Sequence, residues 1–273
     1  MSDKALQVAP QSARLKNGLI LSVFTGIGML DSGFQKSGYC VVSAGDIIWN
    51  KDIRDFKNIP AQVFEGIIAG PPCQDFSKAR RSPPTGYGLE MLSQFKRIVL
   101  EAEPSWFLME NVPTVPDLVI EGYNIQRFEL SPLHVGAAQS RNRHFQFGSK
   151  LGIVLDIKRD AAAATVQSCC TASEGKRVNR RTFKDFCQLQ GFENEVSLPD
   201  FTKAGRYKLI GNGVHLAVSR AVAKAIFEAT TSDQPTTIYN ANLCGCGCGR
   251  ILTGKQKTAT SNCRKRRWLK QHK

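Results

Sequence analysis

The stretch IIAGPPCQDFS, Ile67 to Ser77, ends an apolar run at two prolines and a single thiol, Cys73. Pro71 and Pro72 stiffen the backbone there. A core cysteine needs no such mounting, whereas a nucleophilic one needs a held backbone and a lowered pKa. The plain alternative is a buried cysteine beside a turn. MENVP, Met109 to Pro113, presents a carboxylate, Glu110, at the end of a second apolar run. Apolar surroundings would raise its pKa and let it donate a hydrogen bond; otherwise it is a helix cap or half of an ion pair. QSRNR, Gln139 to Arg143, spaces two arginines by two just before a short alternating strand. Alternation puts Arg141 and Arg143 on one side, as pocket cations or as a solvated face.

FTGIG, Phe24 to Gly28, has glycines that permit a tight turn and a close approach to a ligand. Asp46, in CVVSAGDIIW, is placed to accept hydrogen bonds from a ribose. Asp52, in KDIRDF, could accept from an exocyclic amine. Either aspartate could equally be a turn residue.

The elements that must hold these groups are legible from periodicity. LILSVF reads as a buried strand running directly into TGIG, and SWFLMENVP as another. GLEMLSQFKRIVLEAE carries Leu92, Phe95, Ile98 and Val99 on one helical face. RHFQFG is a short alternating strand, and TFKDFCQLQGF a helix that stops near Gly191. GNGVHLAVSRAVAKAIFEAT opens at a glycine-rich turn and continues as a helix. Strand, polar loop and helix in repetition predict an α/β, doubly wound, mostly parallel sheet. Ligands bind such sheets at the carboxyl ends of the strands, where TGIG, PPCQ and ENV all fall.

Composition bounds the rest. A chain of 273 residues is long enough for one sizeable core with a small appendage. No apolar run reaches the ~18 residues needed to span a bilayer. The first residues have no apolar core like that of a signal peptide, so a cytoplasmic, monomeric protein is expected. The net charge of +14 favours an acidic partner, with nucleic acid the default. Gln234 to Lys273 holds nine Lys or Arg and no acid, and removing those nine from +14 leaves the body at +5. Nine cysteines in a long chain are core residues, metal ligands or nucleophiles. Cys244, Cys246, Cys248 and Cys263 lie within twenty residues and suggest zinc, although the spacing is not the usual paired CxxC. His272 is an alternative ligand, and Trp268 lies in the basic run that would meet phosphates.

Taken together, FTGIG, PPCQ, ENV, QSRNR, LQGF and GNGV, in that order over residues 19 to 228, resemble the cytosine-5 DNA methyltransferase family. The resemblance implies a Rossmann-like methyltransferase fold that uses S-adenosylmethionine on a cytosine flipped out of double-stranded DNA. It implies Cys73, Glu110, Arg141 and Arg143 as catalytic residues, with Cys73 adding to carbon 6 of the base. Phe24, Gly26, Gly28, Asp46, Ile47 or Trp49, Asp52, Pro71, Asn212 and Val214 would bind the cofactor. Gln74, Ser77, Asn111 and Gln139 would meet the substrate, and the basic loop DFSKARRSPPTGYG would close over DNA. The implied organisation is a flexible 1–17, a catalytic core at 18–149, a short target-recognition insert at 150–179, a return to the core at 180–230, and a Cys-rich tail at 231–273.

The chain departs from that pattern in places. Met29 replaces a usual glycine, and Ser22 stands where many members have an acid. Only five residues separate Asp46 from Asp52, too few for a helical crossover, so an edge strand is expected to be lost or shortened. The insert is only about 30 residues, too short for its own core. Two other readings compete. One is the same chemistry on RNA; the other is a DNA-binding protein that has lost catalysis. Compactness suggests a stand-alone phage or mobile-element enzyme, a setting that a neighbouring restriction endonuclease gene would count against.

Overall fold

The computed structural model describes residues 18–160, 163, 165–231, 264, 265 and 268. Six strands form one sheet: β1 (Leu19–Val23), β2 (Cys40–Ser43), β3 (Gly66–Ala69), β4 (Trp106–Asn111), β5 (Asn124–Leu130) and β6 (Arg143–Ser149). Their spatial order is β2-β1-β3-β4-β6-β5. β1 pairs in parallel with β2 and with β3, and β3 with β4. β6 runs antiparallel to both β4 and β5. The sheet is therefore mixed, with the predicted parallel half and an antiparallel ribbon at one side.

Helices cover both faces: α1 (Met29–Lys36), α2 (Tyr87–Ala102), α3 (Phe183–Leu189), α4 (Lys203–Asn212) and α5 (Leu216–Thr231). The alternation of β1, β3 and β4 divides the core. Leu21, Val23, Ile67, Ala69, Phe107 and Met109 pack with Phe95, Ile98 and Val99 of α2. Ile20, Ile68, Trp106 and Leu108 point the other way, towards Phe34 of α1 and Val218 and Val222 of α5. The central strands are buried on both faces, which is why they read as unbroken apolar runs.

The sheet ends at β2, most of whose residues are exposed. From Ala44 to Glu65 there is only one short 3-10 turn, Ile47–Trp49, in keeping with the expected loss at this edge. α4 and β5 were not anticipated. α4 (KAGRYKLIGN) has little apolar asymmetry, and β5 (NIQRFEL) is mostly polar outside its ends. Among the described residues no helix is long and apolar enough to cross a membrane.

Candidate active site

β3 delivers its chain end at Ala69, and the following Gly-Pro-Pro carries Cys73 to the head of a short 3-10 turn, Gln74–Phe76. Asn111, at the end of the neighbouring β4, donates from Nδ2 to the Pro71 carbonyl at 3.0 Å. This bond locks two strand ends together and occupies a side chain that the sequence assigned to substrate. Asp75 accepts from the backbone amides of Thr85 (3.0 Å) and Gly88 (2.9 Å), tying the basic loop to the start of α2. Gln74 is exposed and Ser77 half-buried on that loop.

Glu110 shares the face of Trp106 and Leu108, and its pairing partner on β6 is Phe145. Two residues along β6 on the same face is Arg143, the diagonal neighbour. Its Nε lies 2.9 Å from Glu110 Oε1. The N–H is not aimed at that oxygen, so Oε1 is buried with no hydrogen-bond partner. Burial pushes the Glu110 carboxyl above the ordinary range, against the pull of Arg143 and then Arg141. Burial likewise pushes the Cys73 thiol up, the Glu110 charge adds to it, and Arg143 and Arg141 oppose it. The thiol is thus protonated at neutral pH, contrary to the lowered pKa expected of a nucleophile in its resting state. Burial lowers the pKa of Arg143, and Arg141 adds to that.

Arg141 does not lie alongside Arg143. It precedes β6 rather than belonging to it, so strand alternation does not apply. Its Nη1 donates to the Cys170 carbonyl (2.7 Å) and reaches Cys169 Sγ (3.2 Å). Its Nη2 donates to the carbonyls of Gly211 (2.8 Å) and Gly213 (3.1 Å). Arg141 is a buried clamp between the 168–171 segment and the glycine-rich turn, with its charge still felt at Cys73. Gln139 is also fully buried, donating to the Leu189 carbonyl at 2.7 Å and to Gln190 Oε1 at 3.1 Å. It fastens the LQGF segment and does not face open space.

At the end of β1 the backbone turns through left-handed geometry at Phe24 (φ 54°), Gly26 (φ 56°) and Gly28 (φ 75°). Glycine relieves the strain at two of these three positions. Asp46 Oδ2 accepts from the Gly26 amide and Oδ1 from the Ile48 amide, both at 3.0 Å. Trp49 Nε1 donates to the Gly26 carbonyl at 2.8 Å. Asp46 and Trp49 thereby stitch the end of β1 to the turn after β2. The result is a cavity of about 310 Å³ lined by Thr25, Gly26, Ile27, Gly28, Asp31, Ser43, Trp49, Phe192, Val196 and Leu198. A Cβ on Gly26 would meet nothing within 4 Å, so the backbone itself faces the open space.

Ile47, Asp52, Asn212 and Val214 do not line this cavity. Ile47 is 60% exposed and its apolar surface is unpartnered by the core. Asp52 is engaged by Arg54 Nε at 3.0 Å, and this contact holds its carboxyl down at about 2. Asn212 is exposed at the end of α4, whereas Val214 is buried in the α1–α5 layer. Met29 fills the space beside Gly213: a Cβ there would fall 2.1 Å from its sulfur. The residue that departs from the family pattern thus packs against the GNGV turn.

Seven lining residues were not named as cofactor contacts: Thr25 and Ile27 within FTGIG, Asp31, Ser43, Phe192, Val196 and Leu198. Asp31 is buried, accepts from Ser22 Oγ at 2.6 Å, and has its pKa raised by burial. Its place in the first turn of α1, three residues past Gly28, was the available signal. Phe192 closes the LQGF motif, which was the available signal for it, whereas Val196 and Leu198 follow in a stretch with no regular period. Cys244, Cys246, Cys248, Cys263 and His272 lie outside the described residues. Among the described residues no group of three or more His, Cys, Asp or Glu side chains gathers to hold a metal ion.

Comparison with known proteins agrees with this arrangement. Residues 19–167 match the C-5 cytosine-specific DNA methylase family. The chain is 32% identical to the Type II methyltransferase M.FnuDI of Fusobacterium nucleatum over 161 residues, 47% of this chain and 46% of that one. It is 32% identical to the Type II methyltransferase M.HgiDI of Herpetosiphon aurantiacus over 168 residues, 50% of this chain and 54% of that one. It therefore spans about half the length of these curated relatives. The fold is similar to that of the methyltransferase EhMeth of Entamoeba histolytica (TM-score 0.59, 15% identity, 78% of this chain and 99% of that one). It is also similar to that of the S. pombe Dnmt2 methyltransferase (TM-score 0.52, 14% identity, 76% and 98%). The sheet is thus a Rossmann-like methyltransferase sheet, and the chain belongs to the C-5 cytosine-specific DNA methylase family.

Proposed function

We propose that the protein is a DNA cytosine-5 methyltransferase that acts on a flipped cytosine through a covalent Cys73 adduct. One observation carries this reading. A thiol and a buried carboxyl whose Oε1 has no hydrogen-bond partner stand at the ends of adjacent strands, with Arg143 between them in charge. Burial raises the Glu110 carboxyl, and a protonated carboxyl has a proton to donate to a ring nitrogen of the base.

The cavity beside TGIG fits S-adenosylmethionine on its ribose and methionine side. Each Asp46 oxygen accepts one amide bond and keeps a lone pair for a hydroxyl. Trp49 offers a half-exposed ring, and Asp31 a carboxyl towards a cationic ligand. When bound, that cofactor supplies the electrophilic methyl group which carbon 5 of cytosine takes up. The chain's residues do the rest. Cys73 loses its proton to solvent as the base enters, and its sulfur bonds to carbon 6. The displaced π electrons move into the ring, making carbon 5 nucleophilic. Glu110 hydrogen-bonds at N3 and holds the charge that gathers there, and Arg143 holds the carbonyl edge. Once carbon 5 carries the methyl group, loss of its proton to a base returns the electrons, and the carbon–sulfur bond breaks.

The test is incubation of the protein with S-adenosylmethionine and unmethylated plasmid, followed by bisulfite sequencing. Methylated cytosines are expected with the wild type and none with Cys73→Ser at unchanged melting temperature. Normal turnover by that variant would overturn the mechanism.

A further inference from the structure

A second cavity, about 520 Å³, lies between α3 and α4, away from both strand-end clusters. Arg180, Arg181, Lys203 and Arg206 line it, with Phe183 and Tyr207 as aromatic walls and Glu195 as the one carboxylate. The four cations differ in what they already hold. Arg181 is spent on structure: its Nη1 lies 2.9 Å from Glu174 Oε2, a carboxylate only 5% exposed. Arg180 Nη1 donates to the Arg177 carbonyl (2.8 Å) and its side chain also hydrogen-bonds Tyr207, while Arg206 Nε donates to the Phe201 carbonyl (3.1 Å). Such bonds fix the direction of a guanidinium without neutralising it, and they leave most of its five donors free. Among the described residues Arg180, Lys203 and Arg206 form no ion pair. The cavity is therefore a pre-oriented cluster of three unneutralised cations against one acid. Lys176 and Arg177 continue the charge along the exposed loop that leads into it.

Its position relative to Cys73 matters. Arg181 Nη2 donates to the Ser168 carbonyl at 3.0 Å, and the next residue, Cys169, receives Arg141 at 3.2 Å. The 168–170 segment thus links Arg181, which lines the basic cavity, to Arg141.

We propose that this cavity grips the sugar-phosphate backbone of the duplex DNA that carries the flipped cytosine, with Arg180, Lys203 and Arg206 as the phosphate contacts. The proposal rests on the DNA substrate put forward above. It places a backbone grip in the body of the protein, separate from the basic tail.

The experiment measures binding of the full chain to a 20-base-pair duplex by fluorescence anisotropy across a KCl series. The double variant Arg180→Ala/Lys203→Ala removes two contacts, and Lys224→Ala, on exposed α5, is the control. Each phosphate contact contributes about 0.9 to the slope of log K against log salt, so the double variant should lose about 1.8. Its Kd should rise more than ~10-fold at 0.1 M KCl, at unchanged melting temperature, while the control keeps the wild-type slope. An unchanged slope in a variant of a protein that still methylates plasmid would overturn the cavity assignment and leave the function standing. Wild-type protein that binds duplex RNA but neither binds nor methylates DNA would overturn both.

Discussion

Arg141→Ala separates two roles that a strand-end arginine can have. The side chain is 4% exposed and its guanidinium satisfies carbonyls on two segments distant in sequence, Cys170 on one side and Gly211 and Gly213 on the other. Truncation leaves these three acceptors short of a donor in a volume that water does not fill. Each buried unsatisfied acceptor costs about 1–3 kcal/mol. Against that, the variant no longer buries a cation, and the field on Arg143 and His215 is relieved. The net expected loss is about 3–5 kcal/mol, the usual result of breaking a buried charged network. At roughly 2–4 °C per kcal/mol for a chain of this size, the melting temperature should drop by about 6–20 °C. Urea unfolding at pH 7 reads this directly, as a lowered midpoint at unchanged m-value. Arg141→Lys should recover less than half, because one ammonium cannot bridge both segments as the planar fork does. A midpoint within ~0.5 kcal/mol of wild type would refute the clamp and return Arg141 to the substrate side.

Three further outcomes follow from the charges. The Cys73 thiol is held up by burial and by Glu110, so kcat/KM for methyl transfer should climb with pH from 7 through 9 without levelling, and Arg143→Gln should move the climb higher still. A plateau below pH 7.5 would show a resting thiolate instead. His215 is buried and stays neutral down to about 4, held there by desolvation and then by Arg141, while the unfolded chain protonates near 6.5. Unfolding free energy should therefore be intact above pH 6.5 and fall by about 3 kcal/mol as the pH drops to 4. His215→Asn, which keeps an acceptor for the Ala217 amide, should flatten that limb in pH-series urea melts. If Cys244, Cys246, Cys248 and Cys263 bind zinc, purified full chain should carry about one equivalent by elemental analysis, lost when all four are changed to Ser; equal metal content in both would remove zinc from the tail.

What could be read from the residues alone divides along physical lines. β1, β3, β4 and α2 were legible because buried parallel strands are continuous apolar runs and α2 keeps its apolar residues on one face. Cys73 and Glu110 were legible because each ends such a run. β5 and α4 were not, since neither carries a clean period. The error over Arg141 has the same source. A two-residue spacing implies a shared side only inside a strand, and β6 begins two residues later. The family resemblance placed Gln139 and Asn111 on the substrate side, yet Gln139 donates to the Leu189 carbonyl and to Gln190, and Asn111 to the Pro71 carbonyl. A polar side chain near an active site is as often a fastener as a contact, and only the partner atom decides.

The high thiol pKa and the proposed chemistry are compatible for a reason of sign. Burial raises both groups, and the Glu110 charge raises the Cys73 thiol further, while Arg143 and Arg141 oppose both shifts. A neutral base entering between them presents the lone pair of N3 as an acceptor for a protonated Glu110. A protonated Glu110 that donates to N3 no longer opposes a thiolate, and Arg143 then acts on the sulfur unshared. The same two shifts that keep the free site inert thus turn to favour the nucleophile once the base is in place. Glu110→Gln isolates this coupling: the amide donates to N3 but carries no charge in either state. Its thiol should be alkylated by iodoacetamide faster than that of the wild type at pH 8, because the carboxylate that opposed the thiolate is gone. Methyl transfer should nonetheless fall by about 10²–10⁴-fold, because no proton can follow the charge at N3. An alkylation rate equal to the wild type would show that Glu110 does not govern the thiol.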